Sequence, residues 1–294
     1  NTIQFYNSIG GGEVGSTNSD WFELYALPSI ELGNVECNIN IITSDTDDPH
    51  EFDIPIQILV SLDQKGFPIS DIVIKSSPII VDLYGNNFQN IIFGSDDNNV
   101  YGYMIDGIEM FGFPYSTGDD VRSSPAVADL DKNNIMELIV GSHDGSLSIL
   151  SGFGNQIATH QVNGSINGSP AAVDLDQNGD LEVVFTSFNG NSGDVHAIHH
   201  DGSTFYGFPV YLNEKMIGGA AAGDRDGDGY PEIVVCTDDD NVYAIKKDGS
   251  IMSGFPFTST DRFFNAPTLV DRDFDGDLEI VVGNRRGTLQ VLHH

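Results

Sequence analysis

Residues 224–232 read DRDGDGYPE, an acidic stretch of nine residues that recurs along the chain in five copies. The copies begin at Asp82, Asp129, Asp174, Asp224 and Asp271, so the repeat has a period of 45 to 50 residues. Each copy follows a short run of small apolar residues and precedes a β-branched run, as AAAG and IVV flank residues 224–232. Because one unit of this length cannot bury its apolar face alone, the repeat predicts stacked units.

The residues around each acidic stretch predict four β-strands per unit, which we name A to D. Strand A is the small apolar run, strand B the β-branched run, and strand C an alternating run such as VYAIKK at 242–247. Asp-Gly pairs then mark a hairpin, and strand D is expected to end in Gly-Phe-Pro. Short antiparallel four-stranded sheets repeated radially describe an all-β fold, the β-propeller. The blades are predicted near residues 76–122, 123–166, 167–217, 218–263 and 264–294.

The two ends of the propeller region, residues 61–294, do not decide whether the ring of blades closes within this chain. The fifth unit stops after strand C, and an isolated Gly-Phe-Pro stands at residues 66–68. Residues 61–69 are therefore a candidate closing strand; alternatively they end the preceding domain, and further blades lie beyond residue 294. Residues 1–60 lack the acidic stretch and alternate with period two, which suits part of an Ig-like β-sandwich. We expect the chain to be a piece of a longer protein.

The composition excludes some partners. The 294 residues carry 44 acidic and 12 basic side chains, a formal net charge of −32. Non-specific nucleic-acid binding needs a basic surface, so no nucleic-acid partner is expected. No apolar run approaches the roughly 18 residues of a membrane-spanning helix, so no membrane insertion is expected. Cys236, in a strand pattern, is interpreted as a buried free thiol, although a bridge to Cys37 stays open.

The acidic stretches have the composition of calcium loops. Ca²⁺ takes six to eight oxygen ligands, which carboxylates, amides and backbone carbonyls supply. In a tight loop, the side chains at positions 1, 3 and 5 converge, position 7 offers its backbone carbonyl, and position 9 closes the cage. Copies two to five place these ligands at Asp129, Asp131, Asn133, Ile135 and Glu137; at Asp174, Asp176, Asn178, Asp180 and Glu182; at Asp224, Asp226, Asp228, Tyr230 and Glu232; and at Asp271, Asp273, Asp275, Asp277 and Glu279.

Other positions of the loops refine this prediction. Position 6 is Gly in three copies and Asn in the second, and these residues best tolerate the left-handed backbone of a sharp loop. The first copy has Tyr84 at position 3 and Asn90 at position 9, keeps only the carboxylate of Asp82, and is predicted to bind nothing. An EF-hand is excluded because position 12 of the fourth copy is Val235 and strands flank the loop. Copies four and five, with four carboxylates each, are predicted to bind more tightly than copies two and three.

These residues closely resemble the FG-GAP (VCBS-type) repeat family, over residues 76–294. The family signature is a small apolar strand, a D-x-D-x-D-G-x-x-E/D loop and a β-branched strand. The resemblance implies a calcium-binding propeller like the head of integrin α chains, usually with seven or eight blades. It also implies an extracellular protein of the bacterial secreted or surface type, in which such repeats often follow Ig-like modules and accompany peptidases or polysaccharide-active enzymes.

No catalytic constellation stands out, because the sequence has no G-x-S-x-G, no H-E-x-x-H and no phosphate-binding glycine loop. We therefore predict a non-catalytic module that acts in adhesion, in ligand binding or as a rigid spacer. The alternative is an accessory or catalytic part of a secreted polysaccharide lyase or peptidase.

The predicted partner is a protein or glycan ligand. In a propeller, the A–B loops lie on one face, whereas the D–A and B–C connections lie on the other. The scarce cations gather on this second face, where they either meet an anionic ligand or only offset local negative charge. The candidate ligand-face residues are Lys75, Arg122, Lys215, Arg262, Phe263, Phe264, Arg285 and Arg286.

Overall fold

The computed structural model describes residues 33–42, 51–60 and 66–293, and the chain divides into two compact units, Asn1–Pro68 and Ile69–His294. In the first unit, β1 (Gly33–Ile42) and β2 (Glu51–Val60) pair antiparallel, with Gly33 opposite Val60. One pair of strands does not identify a sandwich, so the Ig-like assignment of residues 1–60 stays a prediction. The second unit begins after Pro68, whereas the sequence placed the propeller from residue 61.

The second unit is a series of antiparallel sheets, and no helix occurs in the described part of the chain. The all-β, propeller-like prediction is thus confirmed. The first blade is β3 (Ile79–Val81), β4 (Asn90–Gly94), β5 (Asn99–Met104) and β6 (Tyr115–Ser116). The second is β7 (Ala126–Ala128), β8 (Glu137–Gly141), β9 (Ser146–Leu150) and β10 (Gln156–Gln161). The third is β11 (Ala171–Val173), β12 (Glu182–Asn189), β13 (Ser192–Ile198) and β14 (Val210–Tyr211). The fourth is β15 (Ala221–Gly223), β16 (Glu232–Cys236), β17 (Asn241–Ile245) and β18 (Phe257–Thr258), and the fifth is β19 (Thr268–Val270), β20 (Glu279–Gly283) and β21 (Leu289–Leu292).

Apolar cores lie between successive blades rather than within one. Val184 and Val195 of the third blade, for example, share a core with Ile233 and Val235 of the fourth. Burying one such side chain contributes about 1.5–3 kcal/mol, so each blade depends on its neighbours. Strand A is built from small residues because consecutive A strands contact one another: β7 with β11, β11 with β15, and β15 with β19. A Cβ added at Gly219 would lie 2.4 Å from the carbonyl oxygen of Ser169, so glycine is needed at this approach.

Strand D lies differently from the prediction. It begins directly after Gly-Phe-Pro instead of ending there: β6 follows Pro114, β14 follows Pro209, and β18 follows Pro256. Proline lacks the N–H that a ladder requires, so it stands outside the paired residues. The second blade lacks the motif, and its strand D, β10, is the longest of the four described.

The candidate closing strand, residues 61–69, is only partly described. Residues 61–65 lie outside the described residues, and residues 66–69 form no strand. In the described part of the chain, the fifth blade has three strands. Both alternatives for residues 61–69, a closing strand of the propeller or the end of the preceding domain, therefore stay predictions.

A repeated backbone hydrogen bond joins successive blades at one end. The N–H of the residue six positions after the first residue of strand B donates to a carbonyl in the preceding D–A connection. His143 donates to Asp120 (2.9 Å), Asp238 to Lys215 (2.8 Å), and the N–H of Phe188, at the corresponding position, donates to Ser165 (3.0 Å). The D–A and B–C connections therefore share one face, and the A–B loops lie at the other ends of the strands.

Candidate metal centres and the opposite face

The four acidic loops are A–B connections that share two hydrogen bonds. In the third copy, the Glu182 carboxylate at position 9 accepts the N–H of Leu175 at position 2 (2.9 Å). The Asp174 carboxylate at position 1 accepts the N–H of Gly179 at position 6 (3.0 Å). The same bonds occur from Leu130 to Glu137, Asn134 to Asp129, Arg225 to Glu232, Gly229 to Asp224, Arg272 to Glu279 and Gly276 to Asp271. Position 6 has positive φ in all four, as predicted.

Carboxylate oxygens in these loops are buried without a partner. In the described part of the chain, Oδ1 of Asp129, Asp174 and Asp224 and Oε1 of Glu279 have no hydrogen bond and no access to solvent. An unpaired buried carboxylate oxygen is costly unless a cation compensates it. The residues present therefore fit a bound cation, and their all-oxygen chemistry fits a hard divalent ion such as Ca²⁺.

The glutamates at position 9 are almost completely buried. Glu182 is 0% exposed and Glu232 1% exposed. Burial raises the pKa of Glu137, Glu182 and Glu232, because the charged carboxylate loses its hydration. A cation beside these groups would favour their ionised form.

The structure brings together some of the predicted ligands in each loop. Positions 1, 3 and 9 converge in copies two, three and four, with ligand atoms within 4.8 Å of one another. At position 5, the Asp228 carboxylate accepts the N–H of Tyr230 (2.9 Å), and the Asn133 and Asn178 amide oxygens accept the position 7 N–H in the same way, so their role as ligands stays a prediction. In the fifth copy, Asp271, Asp273 and Asp275 converge, and Asp273 also converges with Glu279 and His293. The carbonyls at position 7, of Ile135, Asp180, Tyr230 and Asp277, stay predictions.

A further residue borders three of the loops and was missed in the sequence. It immediately follows the paired residues of strand C in the third to fifth blades. His199 Nδ1 lies 3.1 Å from Glu182 Oε1, and Lys246 Nζ lies 3.0 Å from Asp226 Oδ2. His293 Nε2 lies 3.8 Å from Asp273 Oδ2. A sequence signal exists for two of them, since each stands two residues before the Asp of the Asp-Gly hairpin.

The first loop keeps its shape without its charges. The Leu83 N–H donates to Asn90 Oδ1 (3.0 Å), and the Asn87 N–H donates to Asp82 Oδ2 (2.6 Å). Asn87 has a φ of 67°, like position 6 of the other copies. Tyr84 stacks on Phe153 instead of contributing a ligand. This loop has the fold of the others with one carboxylate.

The cations of the opposite face are largely engaged within the protein. Arg122 Nε donates to Asp96 Oδ1 (2.7 Å) and Lys75 Nζ lies 2.9 Å from Asp96 Oδ2, and these two bonds lower the pKa of Asp96 to about 2. Arg286 pairs with Asp261 (3.4 Å). Among the other predicted face residues, Lys215 lies over the ring of Phe188 and Arg285 lies over the ring of Phe264, whereas the bond from Arg262 to Asp261 is donated by the backbone N–H of Arg262 and not by its guanidinium.

One predicted face residue is wrong. Phe263 is 2% exposed and packs with Val234 and Ile280 in the core between the fourth and fifth blades. Its ring fills apolar space and is closed to a ligand. The adjacent Phe264 is 39% exposed and stays a candidate.

Comparison with known proteins agrees with this geometry. Residues 174–235, which hold the third and fourth acidic loops, match the model of the FG-GAP-like repeat. Residues 174–235 therefore carry FG-GAP-like repeat sequence. No curated protein matches the sequence. No helix among the described residues has the length and hydropathy needed to cross a bilayer.

Solved structures share the fold of this chain. The V. cholerae biofilm matrix protein Bap1 is 21% identical with a TM-score of 0.56; the match covers 76% of this chain and 38% of Bap1. BamB from Moraxella catarrhalis is 15% identical with a TM-score of 0.53, covering 87% of this chain and 67% of BamB. Quinohemoprotein alcohol dehydrogenase from Comamonas testosteroni is 13% identical with a TM-score of 0.54, covering 75% of this chain and 41% of the enzyme. At these identities the likeness extends to the fold alone.

Proposed function

We propose that this chain is a non-catalytic, calcium-stabilised propeller module of a secreted or cell-surface protein. It binds a protein or glycan ligand on the face opposite the calcium loops, or holds neighbouring domains apart as a rigid spacer. The observation that carries the proposal is the set of buried, unpartnered carboxylate oxygens in loops of one shared geometry. Bound Ca²⁺ supplies the positive charge that these oxygens lack.

The metal would contribute a large part of the stability. If each site is occupied at tenfold above its dissociation constant, linkage contributes about 1.4 kcal/mol per site. Four such sites contribute roughly 5–6 kcal/mol, which is comparable to the stability of a whole domain. For a unit of this size, the melting temperature would fall by about 10–20 °C without the metal.

The test is calorimetric titration with Ca²⁺ and thermal unfolding in Ca²⁺ against excess EDTA. We expect about four sites, in line with the four acidic loops. Asp174→Asn should remove one site, whereas Asp82→Asn, the same change in the first loop, should leave the count unchanged. Equal melting temperatures in Ca²⁺ and EDTA would refute the proposal.

An extracellular setting and a non-catalytic role have separate support. The fold neighbour Bap1 is a biofilm matrix protein, and Ca²⁺ sites suit a medium rich in that ion. Ser187 Oγ and His196 Nε2 lie 2.9 Å apart, as in a nucleophile and base pair, but Ser187 is 1% exposed and cannot meet a substrate. The second candidate is an accessory or catalytic part of a lyase or peptidase, and the dehydrogenase that shares the fold supports it only in that enzymes also have this fold.

A further inference from the structure

A cavity of about 520 Å³ opens between the second and third blades. Its walls include His160 from β10, Asp194 and His196 from β13, and Tyr211 from β14. The volume falls within the range typical of small-molecule sites. The B–C turn of the third blade and the D–A connection of the second also line it, so it opens on the face opposite the acidic loops.

The corresponding space between the third and fourth blades is filled. There, the Glu214 carboxylate enters from the D–A connection and accepts hydrogen bonds from three side chains. These are Thr237 Oγ1 (2.7 Å), Asn241 Nδ2 (2.9 Å) and the Tyr243 hydroxyl (2.8 Å). That interface therefore satisfies its own donors and acceptors and leaves nothing for a ligand.

Between the second and third blades, the residue in the place of Glu214 is Gly164. The two positions correspond because the next residues, Ser165 and Lys215, accept the same inter-blade backbone bond. A Cβ at Gly164 would lie 2.6 Å from the Phe188 carbonyl oxygen, so this backbone admits no side chain. The space that Glu214 fills at one interface is thus open at the other.

The wall residue also differs between the two interfaces. Asp194, opposite Ser187 in the ladder, stands where Asn241 stands opposite Thr237. Its carboxylate has no hydrogen bond to any described residue, and burial raises its pKa. Because this half-buried carboxylate in the wall of the cavity has no donor, it is available to a ligand that donates hydrogen bonds.

Two histidines stand in the wall. His160 Nδ1 lies 3.0 Å from the Gly202 carbonyl and donates to it, so Nδ1 carries a proton. Burial, and to a lesser extent His160, lower the pKa of His196 to about 4. The residues that line the cavity include no lysine and no arginine, so an anionic ligand finds no counter-charge.

The remaining wall is amide and aromatic. Asn163 and Asn189 supply groups that both donate and accept hydrogen bonds, and they contact each other at 3.4 Å. Tyr211 presents a 67% exposed ring at the edge of the cavity. A carboxylate, two imidazoles, amides and an aromatic ring together suit a ligand with many hydroxyls and an apolar C–H face.

We propose that this cavity binds a neutral sugar unit, with a hydroxyl donating to Asp194 and a C–H face against the ring of Tyr211. The inference rests on the proposed function in one respect: it takes the face opposite the calcium loops as the ligand-bearing face. It deepens that function by naming a neutral glycan as the ligand.

The test is saturation-transfer NMR on the full chain in millimolar Ca²⁺. The probes are free glucose, galactose, mannose, fucose, rhamnose, N-acetylglucosamine and N-acetylgalactosamine, with tetramethylammonium as a cationic comparison. We expect at least one sugar to bind in the millimolar range. Asp194→Asn, which keeps the shape, and Tyr211→Ala should each weaken its binding by about tenfold.

Matched controls separate these effects from general damage. Asp239→Asn changes an exposed carboxylate in the fourth blade, and Tyr206→Ala removes a ring that is 83% exposed outside the cavity. Both should bind the sugar like the unaltered chain, and all four variants should retain its melting temperature. Binding of none of the sugars, unchanged binding in both cavity variants, or binding of tetramethylammonium alone would overturn the inference.

Calcium titration of the same samples distinguishes the two proposals. If four calcium sites are present and no sugar binds, the cavity inference fails and the calcium-stabilised module stands. If a sugar binds at Asp194 and no calcium site is found, the module fails and the cavity site stands.

Discussion

Replacing Lys246 with methionine should strengthen calcium binding in the fourth loop. Lys246 Nζ lies 3.0 Å from Asp226 Oδ2, 3.8 Å from Asp228 Oδ2 and 4.0 Å from Glu232 Oε1. The ammonium is thus a cation already held by the ligands. It reduces the formal charge of the four-carboxylate loop from −4 to −3, the charge of the third loop. The stronger binding that the carboxylate count predicted for the fourth loop is therefore offset.

When Ca²⁺ binds, the Lys246 ammonium either stays near the ion or moves into solvent, and the response with the lower free-energy cost sets the size of the effect on affinity. An ammonium that stays about 4 Å from a divalent cation costs about 2 kcal/mol even in a water-like dielectric. An ammonium that swings into solvent gives up an ion pair worth about 0.2–1 kcal/mol, because the Lys246 side chain is 36% exposed. The second response costs less, so Lys246→Met should lower the dissociation constant by at most about fivefold.

Tyr230 gives a readout specific to this loop. It stands at position 7 and is the only tyrosine in the four acidic loops, so it can sensitise the luminescence of Tb³⁺ bound there. Displacement of Tb³⁺ by Ca²⁺ then reports the calcium affinity, and Tyr230→Phe supplies the background. Methionine is a fitting replacement because Met104 holds the corresponding place in the first blade.

The control for charge is Lys247→Met. Lys247 lies over the ring of Tyr230, so this variant removes the same charge one residue away from the carboxylate contacts. We expect its half-saturation point to match that of the unaltered chain. An unchanged affinity in Lys246→Met, or an equal gain in Lys247→Met, would refute the reasoning.

Two further predictions concern the first loop and a buried histidine. Tyr84→Asp combined with Asn90→Glu gives the first loop the side-chain set of the second copy, and the backbone hydrogen bonds of the first loop already match. Calorimetry of this double variant should therefore count five calcium sites instead of four. Tyr84→Asp alone should add no site. Burial lowers the pKa of His196 from 6.5 to about 4, so the unfolded chain binds its proton first as the pH falls, and stability is lost between pH 6.5 and 4. In saturating Ca²⁺, urea unfolding should show the unaltered chain losing about 2 kcal/mol more than His196→Phe between pH 7.5 and 5, and parallel pH curves would contradict this.

The sequence predicts the blades well because their signals are local. A small apolar run, an acidic loop and a β-branched run are contiguous, and strands such as β16 and β20 lie where these runs stand. Strand D was misplaced because its signal is weak: after the C–D hairpin, only single bridges such as Tyr103 to Glu109 precede a two-residue strand. The proline of Gly-Phe-Pro was therefore assigned to the end of strand D, although strand D begins directly after it.

The missed site residues depend on contacts that the sequence does not display. Lys246 meets the fourth loop because the ladder pairs Ile233 with Ile245, which places the next residue beside Glu232. That register is set between two strands and cannot be seen in either one. The burial of Phe263 is of the same kind, since two adjacent aromatic residues do not reveal which one turns into the core.

The two ends of each blade meet different demands. At the A–B end, four loops have one geometry, because each sheet shares its core with its neighbours and loss of one loop would loosen two interfaces. At the other end, the interfaces differ: Glu214 closes the space between the third and fourth blades, whereas Gly164 leaves the space between the second and third blades open. The repeats can thus keep one loop geometry at the A–B end, which stabilises the fold, and vary the residues at the opposite end, so that the surface there differs from one interface to the next.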